Sequence, residues 1–130
     1  MDSPSGKILI VDDEPSLLKM LSAYLGRLGY SVVTAGSTDK AWAEMEPDPS
    51  AFAVAVLDAT MDGMSMEELA LRMLKANPKL CVIAASGYPV DMSALEAVAP
   101  HRVAFLHKPF TPEMLAAAVR RMLGPQEKSE

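Results

Sequence analysis

The sequence predicts an α/β fold in which five parallel strands form one sheet with helices on both of its faces. Five short apolar runs, rich in Val, Ile, Leu and Ala, lack polar alternation, which is typical of strands buried on both faces. A helical pattern follows each run, and parallel strands require such crossovers. Polar residues stand at the carboxyl end of four runs, where ligands bind in open sheets of this doubly wound kind.

The strand patterns are regularly spaced, and they lie at residues 7–11, 31–35, 53–57, 80–85 and 103–106. The first helix begins at Pro15, because proline suits a first helical turn, and it ends near Gly29. Its apolar stripe extends to Leu28 at the helical spacing of three and four residues. The second helix is short, buries Met45, and ends at the proline-rich turn that starts at Pro47.

The third helix carries the strongest start signal. Ser65 and Glu68 have the spacing of a capping box, and Met64 with Leu69 would form a hydrophobic staple around it. The inner face then consists of five residues, Met66, Leu69, Ala70, Met73 and Leu74. Asn77, followed by proline, ends the pattern, so we expect a well-anchored helix.

The last two helices differ in strength. The fourth pattern covers residues 89–99, and its apolar stripe is thin, so we expect this helix to be mobile or partly exposed. That stripe consists of Met92, Leu95 and Val98. The fifth helix begins at the N-cap Thr111 with Pro112 in the first turn. Its predicted inner face consists of Met114, Leu115, Ala118, Val119 and Met122.

Composition is that of one folded domain. The chain has 130 residues, of which 50% are hydrophobic and 22% are charged, and this suits a domain with a hydrophobic core. We expect the domain at residues 7–123, with residues 1–6 and 124–130 as flexible tails. The net charge is −5 and basic residues are not clustered, so we do not expect nucleic-acid binding.

The sequence also indicates the cellular compartment of the protein. No secretory signal peptide is visible, and no run approaches the roughly 20 apolar residues that span a bilayer. The single cysteine, Cys81, lies inside the fourth strand pattern, which favours a small buried side chain over a reactive thiol. We therefore expect a cytoplasmic protein with no membrane partner.

Charged and polar residues follow the strand patterns at the edge where a ligand site is expected. Asp12 and Asp13 follow the first strand, Asp58 follows the third, and Lys108 follows the fifth. Carboxylates held close together repel each other unless a proton or a cation joins them, and Mg²⁺ prefers such oxygen ligands. A carboxylate beside a metal and an ammonium can act as the nucleophile of phosphoryl transfer and form an aspartyl phosphate. Ser86, at the end of the fourth strand, adds a hydroxyl donor.

Each of these residues also has a structural interpretation. Asp12 and Asp13 precede a helix and could cap it, Asp58 could belong to an ordinary turn, and Ser86 with its following glycine is a common turn pair. Taken together, however, they stand at the ends of four strands of one sheet. This coincidence favours a phosphoryl-transfer site over four unrelated turns.

These pieces resemble the receiver domain of two-component response regulators. The matching segments are residues 8–15, residues 56–58 with Met61, residues 84–88 and residues 105–110. The resemblance extends from about residue 7 to residue 123. It implies a flavodoxin-like (βα)5 fold with the strand order 2-1-3-4-5.

The resemblance also implies a role for each residue of the site. Asp58 would accept a phosphoryl group, and Asp13 and Asp58 would bind Mg²⁺ directly. The backbone carbonyl of Thr60 would be a third metal ligand, with Asp12 acting largely through water. Lys108 would hold a phosphoryl oxygen. Two switch residues, Ser86 and Phe105, would move towards the site on activation.

Partners follow from the same resemblance. The phosphoryl group would come from the phosphohistidine of a histidine kinase or of a histidine phosphotransfer protein. A downstream protein would bind the face formed by the fourth helix, fifth strand and fifth helix. The domain would be a signalling module and not a conventional enzyme, apart from its own phosphorylation and dephosphorylation. We expect a monomer or a weak dimer.

The chain departs from the family pattern in the loop after Asp58. Asp62 stands where many receivers have proline, and Met64-Ser65-Met66 stands where an Asp-Gly pair would follow. Loss of proline loosens the loop, and Asp62 adds negative charge near the site. Tyr88 and Thr60 flank the approach to the phosphate, in positions where the family tunes hydrolysis of the acyl phosphate.

Other functions remain open at this point. A flavodoxin-like cofactor binder would need a phosphate-binding loop after the first strand, where Asp12, Asp13 and Glu14 stand instead. A phosphatase with an aspartate nucleophile would need a second acid in place of Thr60. A degenerate receiver that serves only as a scaffold would not need every acid, the hydroxyl and the lysine. The chain could be a single-domain regulator or part of a hybrid sensor kinase or larger regulator.

Overall fold

The computed structural model describes residues 6–123 of the chain. The strands are β1 (Lys7–Val11), β2 (Ser31–Ala35), β3 (Phe52–Asp58), β4 (Cys81–Ser86) and β5 (Val103–His107). The helices are α1 (Pro15–Arg27), α2 (Thr38–Met45), α3 (Met66–Ala76), α4 (Ser93–Val98) and α5 (Pro112–Leu123). A 3-10 turn at Pro49–Ala51 precedes β3.

All five strands lie in one parallel sheet in the order β2-β1-β3-β4-β5. This is the predicted order 2-1-3-4-5, and the predicted fold class is confirmed. The carboxyl ends of β1, β3, β4 and β5 therefore meet at one edge of the sheet. Every helix begins at that edge, because each one returns the chain antiparallel to the strands.

Alternate residues of each strand are buried in two different hydrophobic clusters, one on each face of the sheet. Ile8 and Ile10 of β1 belong to a cluster with α1 and α5, whereas Leu9 and Val11 belong to a cluster with α2, α3 and α4. All four are at most 2% exposed. A strand that is buried on both faces has no polar face, which explains the apolar runs without alternation.

The starts of α1, α3 and α5 agree with the sequence prediction. Pro15 is the first residue of α1, as predicted. The Ser65 hydroxyl accepts the backbone N–H of Glu68 at 3.1 Å, and the Thr111 hydroxyl accepts that of Met114 at 3.1 Å. All five predicted core residues of α3 are buried.

The helix α4 is shorter than the predicted range of residues 89–99. It begins only at Ser93, whose backbone N–H donates to Asp91 Oδ1 at 2.9 Å. The hydrogen bonds from Ser93 lower the pKa of the exposed Asp91 carboxyl. Val98 of α4 is 53% exposed. Two residues on the predicted stripes of other helices, Leu28 after α1 and Met114 in α5, are also 45% exposed, contrary to prediction. The expectation that α4 is partly exposed is correct, since Leu95 is its one buried residue.

The remaining fold predictions concern Cys81 and the tails. Cys81 is buried, and burial raises the pKa of its thiol, although the positive charge of nearby Arg102 partly opposes this rise.

The predicted tail residues 1–5 and 124–130 lie outside the described residues. Gly6, which we expected to end the first tail, has φ +94°, and a Cβ there would lie 2.6 Å from the Ala53 side chain. None of the helices within residues 6–123 has the length and apolar character needed to cross a membrane.

Candidate phosphorylation site

Asp58 ends β3 and carries a carboxylate that is only 4% exposed. Its Oδ1 accepts two hydrogen bonds from Thr60, one from the backbone N–H at 3.0 Å and one from the hydroxyl at 2.9 Å. Its Oδ2 lies 3.3 Å from the Lys108 ammonium nitrogen. Thr60 on one oxygen and Lys108 on the other therefore fix the orientation of this buried carboxylate.

Lys108 connects the ends of β1 and β3 through its ammonium group. Its Nζ donates to Asp12 Oδ2 at 2.8 Å, which is closer than its approach to Asp58. Burial by itself lowers the pKa of Lys108, but the hydrogen bond and charge of Asp12, together with Asp58, outweigh burial and raise that pKa above its ordinary value. The backbone N–H of Glu14 donates to the other Asp12 oxygen at 3.0 Å. Asp12 is thus both a cap of the following turn and the main partner of Lys108.

Three carboxylates converge at this edge and fit a divalent cation. Asp12, Asp13 and Asp58 each offer an oxygen, and these oxygens lie within 4.8 Å of one another. Asp12 and Asp58 are buried, whereas Asp13 is exposed. One ammonium cannot neutralise three carboxylates, so a further cation is favoured. Hard oxygen donors with one side open to water suit Mg²⁺ better than a softer metal.

Ser86 ends β4 and is completely buried. Its hydroxyl accepts the backbone N–H of Tyr88 at 3.1 Å, and its carbonyl accepts the backbone N–H of Lys108 at 2.8 Å. Its neighbour Ala85 pairs in register with Asp58. The structure therefore brings Ser86 to the same edge as the acids and the lysine, with its hydroxyl bonded to the loop that follows.

Phe105 does not pack into the core. It is 39% exposed, and its ring meets that of His107 edge-on at a centroid distance of 6.3 Å. Val98 of α4 and Met114 of α5 are also exposed. These three residues, Val98, Phe105 and Met114, place exposed apolar side chains on the predicted downstream face, which we name the α4–β5–α5 face.

The loop after Asp58 combines an exposed acid with a left-handed glycine. Asp62 is exposed, and Gly63 has φ +88°, which favours glycine because other side chains are strained there. A Cβ on Gly63 would lie 3.4 Å from the hydroxyl oxygen of Thr38, at the start of α2. Gly63 therefore supplies a turn that the loop makes without proline.

A cavity of about 400 Å³ opens beside the acids, which the sequence patterns did not indicate. It is lined by Glu14, Leu17, Gly87, Lys108, Pro109 and Phe110. Three separate loops or helices contribute to it, so no local pattern could reveal it. Leu17, an apolar residue near the start of α1, is only partly buried and lines this cavity.

Comparison with known proteins agrees with this geometry. Residues 8–120 match the family described as the response regulator receiver domain. The sensor kinase CckA of Brucella abortus is 32% identical over 125 residues, covering 96% of this chain and 13% of that protein. The DNA-binding response regulator MtrA of Mycolicibacterium smegmatis is 28% identical over 130 residues, covering 98% and 54%. The chain thus spans 13% of the length of CckA and about half of the length of MtrA.

Solved structures show the same fold. A CheY-like receiver domain from Methanospirillum hungatei has a TM-score of 0.79 and 28% identity, with 92% of this chain and 94% of that chain covered. The response regulator TrrA of Thermotoga maritima, solved in complex with Mg²⁺ and BeF, has a TM-score of 0.74 and 26% identity, with 90% and 98% covered. The chain therefore belongs to the response regulator receiver domain family, the receiver modules of two-component signalling.

Proposed function

We propose that this chain accepts a phosphoryl group on Asp58 and thereby switches a protein-binding surface. The observation that carries the proposal is the position of the Asp58 carboxylate, which is buried, held by Thr60 and 3.3 Å from Lys108 Nζ. A nucleophile held in one orientation avoids much of the entropy cost of reaching the transition state. The donor would be the phosphohistidine of a histidine kinase or of a phosphotransfer protein.

In the proposed step, an Asp58 oxygen forms a bond to phosphorus while the P–N bond of phosphohistidine breaks. The electron pair of that bond returns to the imidazole. Lys108 stays protonated at neutral pH because the carboxylates raise its pKa, so it would stabilise negative charge on the transferred oxygens. In the second reaction, hydrolysis, a water oxygen would bond to phosphorus as the bond between phosphorus and the Asp58 oxygen breaks, which releases inorganic phosphate and restores the carboxylate. These two reactions are the only catalysis that we propose.

Asp13 and Asp58 would hold Mg²⁺ directly, with the Thr60 carbonyl as a third protein ligand and Asp12 acting largely through water. Bound Mg²⁺ would neutralise the charge of the phosphoryl oxygens. The two oxygens of Asp12 accept hydrogen bonds from Glu14 and Lys108, and Asp12 would keep these partners while it contacts the ion through water. The complex of TrrA with Mg²⁺ and BeF supports Mg²⁺ as the ion of this site.

Ser86 and Phe105 would carry the signal away from Asp58. An added phosphoryl group brings about two negative charges and three acceptor oxygens. The Ser86 hydroxyl would leave the backbone N–H of Tyr88 for a phosphoryl oxygen, and the exposed Phe105 ring would turn inward with it. Such a change removes apolar area from the α4–β5–α5 face and reshapes the surface for a downstream protein.

The cavity beside Lys108 would receive the protein that carries the phosphohistidine. It opens next to the acids and combines Leu17 with Pro109 and Phe110. An apolar pocket next to a reactive group can bind side chains that flank the incoming histidine. This supports α1 and the loop after β5 as the docking side for the donor.

The role of the whole protein is also a proposal. We infer a cytoplasmic module, monomeric or weakly dimeric, that acts through protein contacts. NtrC of Bradyrhizobium and MtrA are DNA-binding regulators, of which this chain spans 26% and 54%, so DNA binding in such proteins need not involve the receiver. Either a single-domain regulator or a receiver within a larger regulator or hybrid sensor kinase fits this role.

Phosphorylation is tested by mass. Wild-type protein incubated with acetyl phosphate and Mg²⁺ should gain one phosphoryl group by intact mass spectrometry, and a chelator should prevent the gain. Asp58→Asn should abolish it. Asp62→Asn, which removes an exposed acid from the following loop, should be labelled like wild type. Undiminished labelling of Asp58→Asn would refute the assignment of the nucleophile.

A further inference from the structure

We infer that His107 is a positioning residue that holds the Phe105 ring at the surface and opposes its inward turn on phosphorylation. The inference rests on the proposed switch of Phe105, and it concerns a residue to which that switch gives no role. Phe105 is 39% exposed, and the centroids of the two rings lie 6.3 Å apart with an angle of 68° between their planes. Aromatic rings in such an edge-to-face arrangement attract each other beyond the area that they bury.

The strand β5 places both rings on the same side of the sheet. Residues two apart in a strand point to the same face, and Val103, two residues before Phe105, packs into the cluster with α2, α3 and α4. Ala104 and Leu106 alternate with them and pack with α1 and α5 on the other side. Phe105 and His107 therefore lie on the α4 side, where an inward turn of Phe105 takes its ring away from the surface.

The imidazole of His107 is itself held in place by the main chain. Its Nδ1 lies 2.8 Å from the carbonyl oxygen of Lys108, and because a carbonyl oxygen only accepts, Nδ1 carries the proton and donates. The backbone N–H of Lys108 donates in turn to the carbonyl of Ser86 at 2.8 Å, and Ser86 pairs in register with His107. The His107 ring is therefore tied to the end of β4 and cannot follow the Phe105 ring when that ring leaves the surface.

The ring contact exists only while Phe105 is outward, so it stabilises the unphosphorylated form. An interaction made in one of two conformations shifts their equilibrium by the free energy that it contributes. A phosphoryl group, or an analogue that occupies its place, then binds with an apparent affinity that is reduced by the small inward fraction. Loss of the contact raises that fraction about threefold, near the low end for an aromatic pair, because both rings are partly in water.

The two histidines of the chain provide a matched pair of substitutions. His107→Asn removes the ring but keeps an N–H donor near the position of Nδ1, so that the ring contact is lost. His101→Asn makes the same chemical change in the turn before β5, where His101 is exposed. The φ of +67° at His101 suits asparagine, which tolerates this region of backbone conformation. Both residues are exposed, so neither change opens a cavity in the core, and both variants should remain folded.

The position of the Phe105 ring is followed by fluorine NMR of protein labelled with fluorophenylalanine. The chain has three phenylalanines, and the Phe105 signal is the one that Phe105→Leu lacks. Each protein is titrated with beryllofluoride, an analogue of the phosphoryl group, at saturating Mg²⁺. We expect the midpoint of the change in the Phe105 signal to fall about threefold in His107→Asn. Without beryllofluoride, the Phe105 signal of this variant should already lie closer to its bound position. His101→Asn should behave like wild type.

The outcomes distinguish this inference from the function on which it rests. A Phe105 signal that changes in His107→Asn at the wild-type midpoint, or at a higher one, overturns the role of His107 while the switch of Phe105 stands. An equal fall of the midpoint in His101→Asn would indicate a non-specific effect of surface substitution and would also overturn it. If the Phe105 signal of the wild-type protein does not change, the proposed switch and this inference fail together. Phosphorylation of Asp58, which is followed by mass, does not depend on any of these results.

Discussion

Lys108→Met should destabilise the metal-free protein, because the substitution leaves two buried carboxylates without their cation. Asp12 and Asp58 are each 4% exposed, and Lys108 Nζ lies 2.8 Å from one and 3.3 Å from the other. Removing one partner of a buried ion pair costs about 3–5 kcal/mol. The Lys108 side chain is 26% exposed, so solvent screening reduces the effect. We expect a loss of about 2–3 kcal/mol in the free energy of unfolding.

Urea unfolding at neutral pH without divalent cations, followed by far-ultraviolet circular dichroism, measures this difference. Lys40→Met is the matched control, since Lys40 is exposed and makes no ion pair with any residue from 6 to 123. The control should change stability by less than about 0.5 kcal/mol. Saturating Mg²⁺ should stabilise Lys108→Met, because binding to the native state alone shifts the equilibrium. A Lys108→Met protein as stable as wild type without metal would refute the pairing argument.

The pH dependence of the Lys108 contribution has a definite sign. The pKa of Lys108 is raised in the folded protein, above the ordinary value of 10.5, because the nearby carboxylates outweigh the lowering effect of burial. A group whose pKa rises on folding stabilises the native state below its unfolded pKa, and this contribution disappears as pH rises through the folded pKa. The stability gap between wild type and Lys108→Met should therefore be constant from neutral pH to about 10 and should narrow above it.

Three further substitutions test metal binding and local structure. Asp13→Ala should weaken Mg²⁺ binding by roughly tenfold or more, as measured by titration calorimetry, since even groups outside the ligand set change metal affinity by about that factor. Asn77→Ala should cost about 2–4 kcal/mol in urea unfolding, because the buried Asn77 amide donates to the carbonyls of Pro49 and Phe52 at 3.0 and 2.8 Å. Ser65→Ala should cost about 1 kcal/mol by removing the N-cap of α3. Unchanged Mg²⁺ affinity of Asp13→Ala would contradict its role as a ligand. A free energy of unfolding within about 0.3 kcal/mol of wild type would contradict the role given to Asn77 or Ser65.

Much of the site was predictable because parallel strands end together. Asp12, Asp58, Ser86 and Lys108 follow different strands, and a doubly wound sheet places the carboxyl ends of those strands at one edge. The N-caps Ser65 and Thr111 were predictable for a related reason. A cap bonds a backbone N–H only three residues away, so its signal lies within a few residues of sequence.

The boundary and exposure of α4 were less accessible from the sequence. A mobile or partly exposed helix with a thin stripe of Met92, Leu95 and Val98 was expected over residues 89–99. The helix starts only at Ser93, and Val98 is 53% exposed, an extent that the stripe did not indicate. Helical spacing shows which residues share a face, but not how much of that face another element covers. Such coverage is set by distant parts of the chain.

Local sequence was sufficient for the α/β class, the burial of the strands on both faces and the identity of the acids at the sheet edge, because each depends on residues that are close in the chain. Only the tertiary structure decided that Lys108 pairs more closely with Asp12 than with Asp58 and that a cavity opens beside Lys108. The physical reason is that these contacts join loops up to 96 residues apart, and differences of tenths of an ångström among them depend on how the whole sheet is packed.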